Sequence, residues 1–164
     1  MSAGFEDLVR LHAADLFRYA FWLSRDRQRA EDVVQEALLR GWRAFPRLRE
    51  RTAAKAWLYS IVRNEHYREA ARNSPPAESI DEMELPDERP GYFGLEVRDA
   101  LKALPATYAE PLVLQVLGGF SGAEIAAMLN TTEGATMTRL TRARQALKRL
   151  LAPGSPAERK GGRS

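Results

Sequence analysis

The sequence predicts an all-α fold: two small helical domains joined by a flexible acidic linker, the second of them a helix-turn-helix. Three observations predict it. Apolar residues recur at three- and four-residue steps through almost every segment, and no stretch alternates as a half-buried strand would. Residues 73–94 are broken by Pro75, Pro76, Pro86 and Pro90, and they carry no Lys or Arg up to Glu88. Residues 121–151 join a short helix to a longer basic one across a tight break.

The first helix is expected over residues 5–24, where Phe5, Leu8, Val9, Leu16, Phe17, Ala20 and Leu23 share a face. Asp26 can cap a second helix that ends near Phe45, ahead of Pro46. Its inward residues are expected to be Val33, Val34, Ala37, Leu38 and Trp42. Residues 46–52 read as a short basic loop. A third helix should cover residues 53–71, with Trp57, Leu58, Ile61 and Val62 as its apolar face. The acidic, proline-rich segment at 73–94 then reads as a mobile linker. It divides the chain into a domain at 1–72 and a second at 95–152, followed by a Pro-, Gly- and Lys/Arg-rich tail at 153–164 that should be disordered.

The second domain opens with a short helix over 95–104. Pro105 suits a helix start or the turn before one. A helix begun there would hold Pro111 in its interior at a cost of about 3 kcal/mol. The regular helix is therefore expected to start near Glu110, or to kink there, and Gly118-Gly119 should end it. Ser121 and Glu124 have the spacing of a capping box. Ile125, Ala126, Met128 and Leu129 supply the apolar side of the helix they start. Asn130 tolerates the left-handed backbone of a tight turn, and Thr131 or Thr132 can cap a helix that begins at Glu133. That helix carries Arg139, Arg142, Arg144, Lys148 and Arg149, and its expected core face is Ala135, Leu140, Ala143, Leu147 and Leu151.

Composition narrows the function classes. The chain has 164 residues, 45% hydrophobic and 29% charged, with a formal net charge of +3. This is ordinary for a folded soluble protein and only mildly basic. There is no cysteine, so disulfides, thiolate zinc sites and cysteine nucleophiles are excluded. The two histidines, His12 and His66, lie far apart in sequence, and no metal site or cofactor is expected. The N-terminus carries acids and lacks the apolar run of a secretory signal. No segment is long enough to span a bilayer, so the chain is expected to be cytoplasmic and not inserted in a membrane.

Three constellations could carry function. On the second helix, Asp32, Gln35, Glu36 and Leu39 fall on one face. Paired carboxylates can do acid–base chemistry, but no His, Lys base or metal ligand accompanies these, and the chain is not read as an enzyme. A solvated face and a protein-docking face both remain open, the second because the acids and Gln are interleaved with Leu39 and Val33. On the third helix, Trp57, Arg63 and Asn64 follow the cations Arg47, Arg49, Arg51 and Lys55. Aromatics beside cations suit single-stranded nucleic acid, in which bases stack and backbone charge is met; Trp57 itself reads largely as core, which is compatible with exposed Arg63 and Asn64. The basic helix after Thr132 suits a DNA major groove, or else is a solvated surface helix. The glycine-rich 118–122 segment lacks the lysine and preceding strand of a phosphate-binding loop.

Three stretches, AEDVVQEALLRGWRAF, AWLYSIVRN and ALKALPATYAEPLVLQVLGGFSGAEIAAMLNTTEGATMTRLTRARQALKRLL, stand in this order. Together they resemble the extracytoplasmic-function (ECF, group 4) RNA polymerase sigma factors of the sigma-70 family, over nearly all of residues 5–151. The resemblance implies an N-terminal domain that binds the clamp of core RNA polymerase and melts the minus-ten element. It implies a C-terminal domain that reads the minus-thirty-five element and touches the polymerase flap. It also implies an anti-sigma protein as partner.

Asp32, Gln35, Glu36 and Arg40 match the family's clamp-binding helix, and Leu39 shares their face. Asn64 matches a position that contacts an extruded minus-ten base, and residues 47–55 match the loop that captures it. The minus-ten candidates are therefore Arg49, Arg51, Lys55, Trp57, Arg63 and Asn64. Met137, Thr138, Arg139, Thr141 and Arg142 match recognition-helix positions, and Thr132 and Thr136 complete the minus-thirty-five candidates. The chain departs from the family pattern at Met137, usually Lys or Arg; at Thr136, usually Val; and at Thr141, usually His or Phe. The missing cation at Met137 should weaken a phosphate or guanine contact. The competing expectation is a helix-turn-helix regulator that binds duplex operator DNA without replacing sigma; it leaves AWLYSIVRN and the basic loop before it unexplained.

Overall fold

The computed structural model describes residues 2–73 and 97–152. Nearly all of the expected linker, together with the tail at 153–164, lies outside the described residues. All regular structure among the described residues is helical: α1 (Ser2–Ser24), α2 (Arg27–Ala44), α3 (Ala54–Asn73), α4 (Val97–Ala103), α5 (Ala106–Gly118), α6 (Gly122–Met128) and α7 (Glu133–Leu151). They fall into two compact units. One holds α1–α3 and the short segment Val116–Phe120; the other holds α4, α6, α7 and the rest of α5.

In the first unit α1, α2 and α3 each pack on the other two. Leu16, Tyr19 and Ala20 of α1, Ala30, Val33 and Ala37 of α2, and Leu58, Tyr59 and Val62 of α3 are buried. At Gly41, side chains of both α1 and α3 crowd the backbone of α2. A Cβ there would lie 3.2 Å from the Phe5 ring and 3.3 Å from Leu58 Cδ1. Glycine inside a helix costs about 1 kcal/mol in propensity, and this close approach is what it makes possible. Trp42, expected to face inward, is instead 56% exposed. The inward stripe of α2 runs Ala30, Val33, Ala37, Gly41, and the next residue is carried out to solvent.

Arg25 takes a left-handed backbone (φ 58°) between α1 and α2, and its N–H bonds the Phe21 carbonyl at 2.7 Å. The Asp26 carboxylate then caps α2, accepting from the Arg29 N–H at 3.1 Å. Between α2 and α3 the basic loop forms two single 3-10 turns, Phe45–Arg47 and Arg51–Ala53. Phe45 pins the loop: it is buried, 5.4 Å from the Phe5 ring and 6.2 Å from Trp57 between centroids.

In the second unit α4 and α6 pack on α7. The helix expected to start or kink near Glu110 starts at Ala106, with Tyr108 and Ala109 donating to the Pro105 carbonyl at 3.0 Å. Pro111 lies inside it, with its ring fully buried. The proline forgoes one backbone hydrogen bond, and the apolar burial of its ring offsets that loss. Glycine closes the helix as expected: Gly119 has φ +68°.

The α6–turn–α7 segment is the expected helix-turn-helix. Ser121 Oγ accepts from the Glu124 N–H at 3.1 Å, and Glu124 Oε1 accepts from the Ser121 N–H at 2.8 Å, completing the capping box. Asn130 is left-handed (φ 55°). Thr131 N–H reaches back to the Ala126 carbonyl at 2.9 Å and Asn130 N–H to Ala127 at 3.3 Å, the paired bonds of a Schellman turn. Thr132 Oγ1 caps α7 by accepting from the Ala135 N–H at 3.0 Å. The buried face of α7 is Thr136, Leu140, Ala143, Ala146 and Leu150. It is centred near Ala143, which leaves Ala135 and Leu151, both expected in the core, half-buried at its edges; Leu147 is half-buried too.

Candidate functional site

Three surfaces carry the residues singled out by sequence. The first is the outer face of α2, opposite the Ala30/Val33/Ala37/Gly41 stripe. Asp32, Gln35, Leu39 and Arg40 are exposed and Glu36 is half-buried beside them. Leu39 is 49% exposed, and the outward-turned Trp42 stands one turn further along. Gln28 donates to Asp32 at 3.1 Å. The face is thus an apolar Leu39/Trp42 pair set among acids, amides and the arginines Arg40 and Arg43, a mixed polar and apolar surface suited to protein docking. Trp42 was missed because period alone placed it inward.

Arg40 reaches off this face. Its Nε lies 3.4 Å from Glu36 of the same helix and 3.0 Å from Glu65 of α3. Glu65 is one of the few charged side chains that are buried, at 3% exposure. Arg68 pairs with it at 3.1 Å and Arg72 at 3.6 Å. Sequence periodicity contained a signal for it. Leu58, Val62 and Glu65 share one stripe of α3, and Arg68 and Arg72 follow at the next turns of that side.

The second surface joins the loop to α3. Arg47, Arg49 and Arg51 are exposed. The Arg51 guanidinium stacks 3.9 Å above the Phe45 ring. Lys55 is half-buried in the first turn of α3. Trp57 is half-buried against Phe45, so core and surface readings of this residue both hold in part. Two turns on, Asn64 is exposed on the same side of α3. Arg63 lies 4.8 Å over the ring of Tyr67, itself 40% exposed. Tyr67 extends the aromatic edge one turn beyond Asn64, a position that the i+3 spacing would have revealed. Behind this edge, the His12 imidazole is held below its ordinary value by burial and then by Lys55, with Asp15 opposing. Burial, then Asp15, pushes the Tyr59 hydroxyl up to about 12.

The third surface is α7. Met137, Thr138, Thr141 and Arg142 are exposed and Arg139 is half-buried. Glu133 in the first turn is the only acid on this helix. Arg144 is engaged by Gln115 Oε1. Thr132 is exposed; it accepts from Ala135 and still has an O–H to donate. Thr136 corrects the expectation: it is fully buried, and its hydroxyl donates to the Thr132 carbonyl at 3.0 Å, so it cannot face DNA. A polar side chain fits the core here because the helix backbone satisfies it locally.

No group of acids and histidines among the described residues could hold a metal ion. No described helix is long and apolar enough to cross a membrane.

Comparison with known proteins covers the same three surfaces. The chain matches Sigma-70 region 2 over residues 8–75 and Sigma-70, region 4 over residues 94–147. It is 39% identical to the ECF RNA polymerase sigma factor SigL of Mycobacterium tuberculosis over 147 residues, 84% of this chain and 82% of that one. It is 31% identical to SigM of the same organism, covering 90% of this chain and 76% of the relative. Among solved structures it resembles the sigma factor RpoE in complex with the anti-sigma factor NepR from Bartonella quintana, with a TM-score of 0.70 and 28% identity over 90% of this chain and 96% of that one. It also resembles CnrH in complex with the cytosolic domain of CnrY, with a TM-score of 0.65 and 25% identity over 92% and 89% of the two chains.

Proposed function

The chain belongs to the extracytoplasmic-function sigma factors of the sigma-70 family and is an alternative sigma factor; on that premise we propose how its surfaces divide the work of transcription initiation. The α2 face, Asp32, Gln35, Glu36, Leu39 and Arg40 with Trp42 added, docks on the clamp of core polymerase. The loop and outer edge of α3 take the minus-ten element: Arg47 and Arg49 meet phosphates, while Asn64, flanked by Trp57 and Tyr67, holds an extruded base. A shaped polar edge is needed there because extrusion costs stacking energy that must be recovered. The cap Thr132 and the α7 residues Thr138, Arg139, Thr141 and Arg142, all exposed but the half-buried Arg139, read the minus-thirty-five element. Residues 1–72 and 95–152 are the two functional domains, and the second also touches the polymerase flap. The protein acts in the cytoplasm, and an anti-sigma protein holds it inactive, as the complexes of its structural relatives suggest.

The observation that carries this reading is that a single three-helix unit bears both the α2 face and the Trp57/Asn64/Tyr67 edge. A duplex-binding regulator needs neither. Transcription with purified core polymerase tests it. The chain should direct core to a defined start site and leave no specific footprint on duplex promoter DNA alone. A specific footprint without polymerase, with no initiation on adding it, would favour the regulator.

A further inference from the structure

Glu65 follows Asn64 directly, and the two point to different sides of α3: Asn64 is exposed, whereas Glu65 is buried against α2. A carboxylate in that position is costly to desolvate unless it is paired. The pairing is crowded. Arg40 and Arg68 both reach Oε1, at 3.0 Å and 3.1 Å, and Arg72 reaches Oε2 at 3.6 Å. Arg68 and Arg72 belong to α3 and suffice to neutralise the acid. Arg40 belongs to α2 and stands on the face assigned to polymerase.

Arg40 has a second acid within reach, Glu36, but the two acids differ in kind. The Glu36 side chain is 41% exposed and one turn back on the same helix, free to follow the guanidinium wherever it goes. The Glu65 side chain is 4% exposed, and its position is set by the packing of α3. A long, half-exposed arginine loses rotamer freedom on docking. A rigid acid on a neighbouring helix removes that freedom beforehand.

We propose that Glu65 is a positioning residue for polymerase docking: its buried carboxylate fixes where the Arg40 guanidinium stands on the α2 face. The inference rests on the reading of α2 as the docking face. It also links the two functions of the first unit, since one turn of α3 carries the base-contacting Asn64 and the residue that orders the polymerase contact.

A double-mutant cycle on the full chain tests it. Affinity for purified core polymerase is measured by competition for wild type, Arg40→Ala, Glu65→Gln and the double variant, with thermal melts run in parallel. Both single variants should lose affinity, Glu65→Gln by roughly fivefold or more, as coupled contacting residues do. The double variant should lose no more than Arg40→Ala, because without the guanidinium there is nothing for Glu65 to position. A general structural role would instead make the losses multiply, and that result overturns the inference. So does unchanged affinity in folded Glu65→Gln. Should Glu65→Gln not fold, Glu65→Asp keeps the charge but shortens its reach, and it must show the same loss and the same dependence on Arg40. If Arg40→Ala binds as tightly as wild type, the assignment of Arg40 to the docking face falls first, which separates the two failures.

Discussion

The Arg51 guanidinium carbon lies 3.9 Å from the centroid of the Phe45 ring, over its face, and Phe45 is the buried anchor of the loop between α2 and α3. One of the three loop arginines is therefore held by the protein itself, whereas Arg47 and Arg49 stand in solvent. Stacking of this kind at an exposed site contributes about 0.5–1 kcal/mol. Arg51→Ala should lower the melting free energy by that amount. Arg49→Ala should leave it within about 0.5 kcal/mol, as surface changes usually do, yet weaken promoter opening. Equal melting of the two variants would mean that the stack contributes nothing.

Thr136 and Arg142 should separate burial from DNA contact on one helix. Thr136→Val removes a hydroxyl bonded only within the helix, at a cost of about 1 kcal/mol in stability, and should leave promoter affinity unchanged. Arg142→Ala should do the reverse, costing roughly 1–3 kcal/mol of promoter affinity if the contact is bidentate to a base. Loss of promoter affinity in folded Thr136→Val would contradict the buried assignment.

Met137 stands where the family resemblance implies a cation, and its thioether rests on α6: a Cβ at Gly122 would come within 2.8 Å of Sδ. The Met137 side chain is flexible and 46% exposed, so it can swing aside, and Gly122→Ala should change stability by no more than about 0.5 kcal/mol. Met137→Arg should raise affinity for duplex promoter DNA in holoenzyme and steepen its salt dependence by about one charge. No change in salt slope would show that position 137 does not approach phosphate.

Asn64→Ala should keep duplex engagement but slow strand opening, because the extruded base loses its partner while the unstacking cost remains. A premelted bubble template should restore transcription by this variant and should not rescue Arg142→Ala. Normal transcription from duplex promoters by Asn64→Ala would remove Asn64 from the minus-ten site.

Burial and Lys55 hold the His12 imidazole below its ordinary 6.5, so the unfolded chain takes up this proton more readily than the folded one. Between the folded-state value and 6.5 the unfolded state binds more protons, and stability there rises with pH. Above that window the contribution is constant. Denaturant melts across mildly acidic pH should show the rise, and His12→Gln should flatten it. A slope that survives in His12→Gln belongs to other groups.

Most of the architecture was legible in the sequence because its punctuation is local. The Asp26 and Thr132 caps, the Ser121/Glu124 box, the left-handed Asn130 and the terminating Gly119 each act over three to five residues, so the chain spells them out wherever the helices go. The order of the three motifs, likewise readable, was enough to indicate the family. The tertiary structure decided which side of each helix meets a neighbour. A periodic stripe has edges, and sequence cannot say which edge residue is covered. Close approach at Gly41 turned Trp42 outward, two helices packed on α7 buried Thr136, and core packing kept Pro111 inside a helix that sequence would have started later. Glu65 shows the limit most clearly. An acid on an apolar stripe reads as a solvated interruption until the fold brings Arg40 from another helix to within 3.0 Å of it. Its burial is met in part by Arg68 and Arg72 of its own helix, whose spacing along α3 is local, but the pairing with Arg40 exists only once α2 packs on α3.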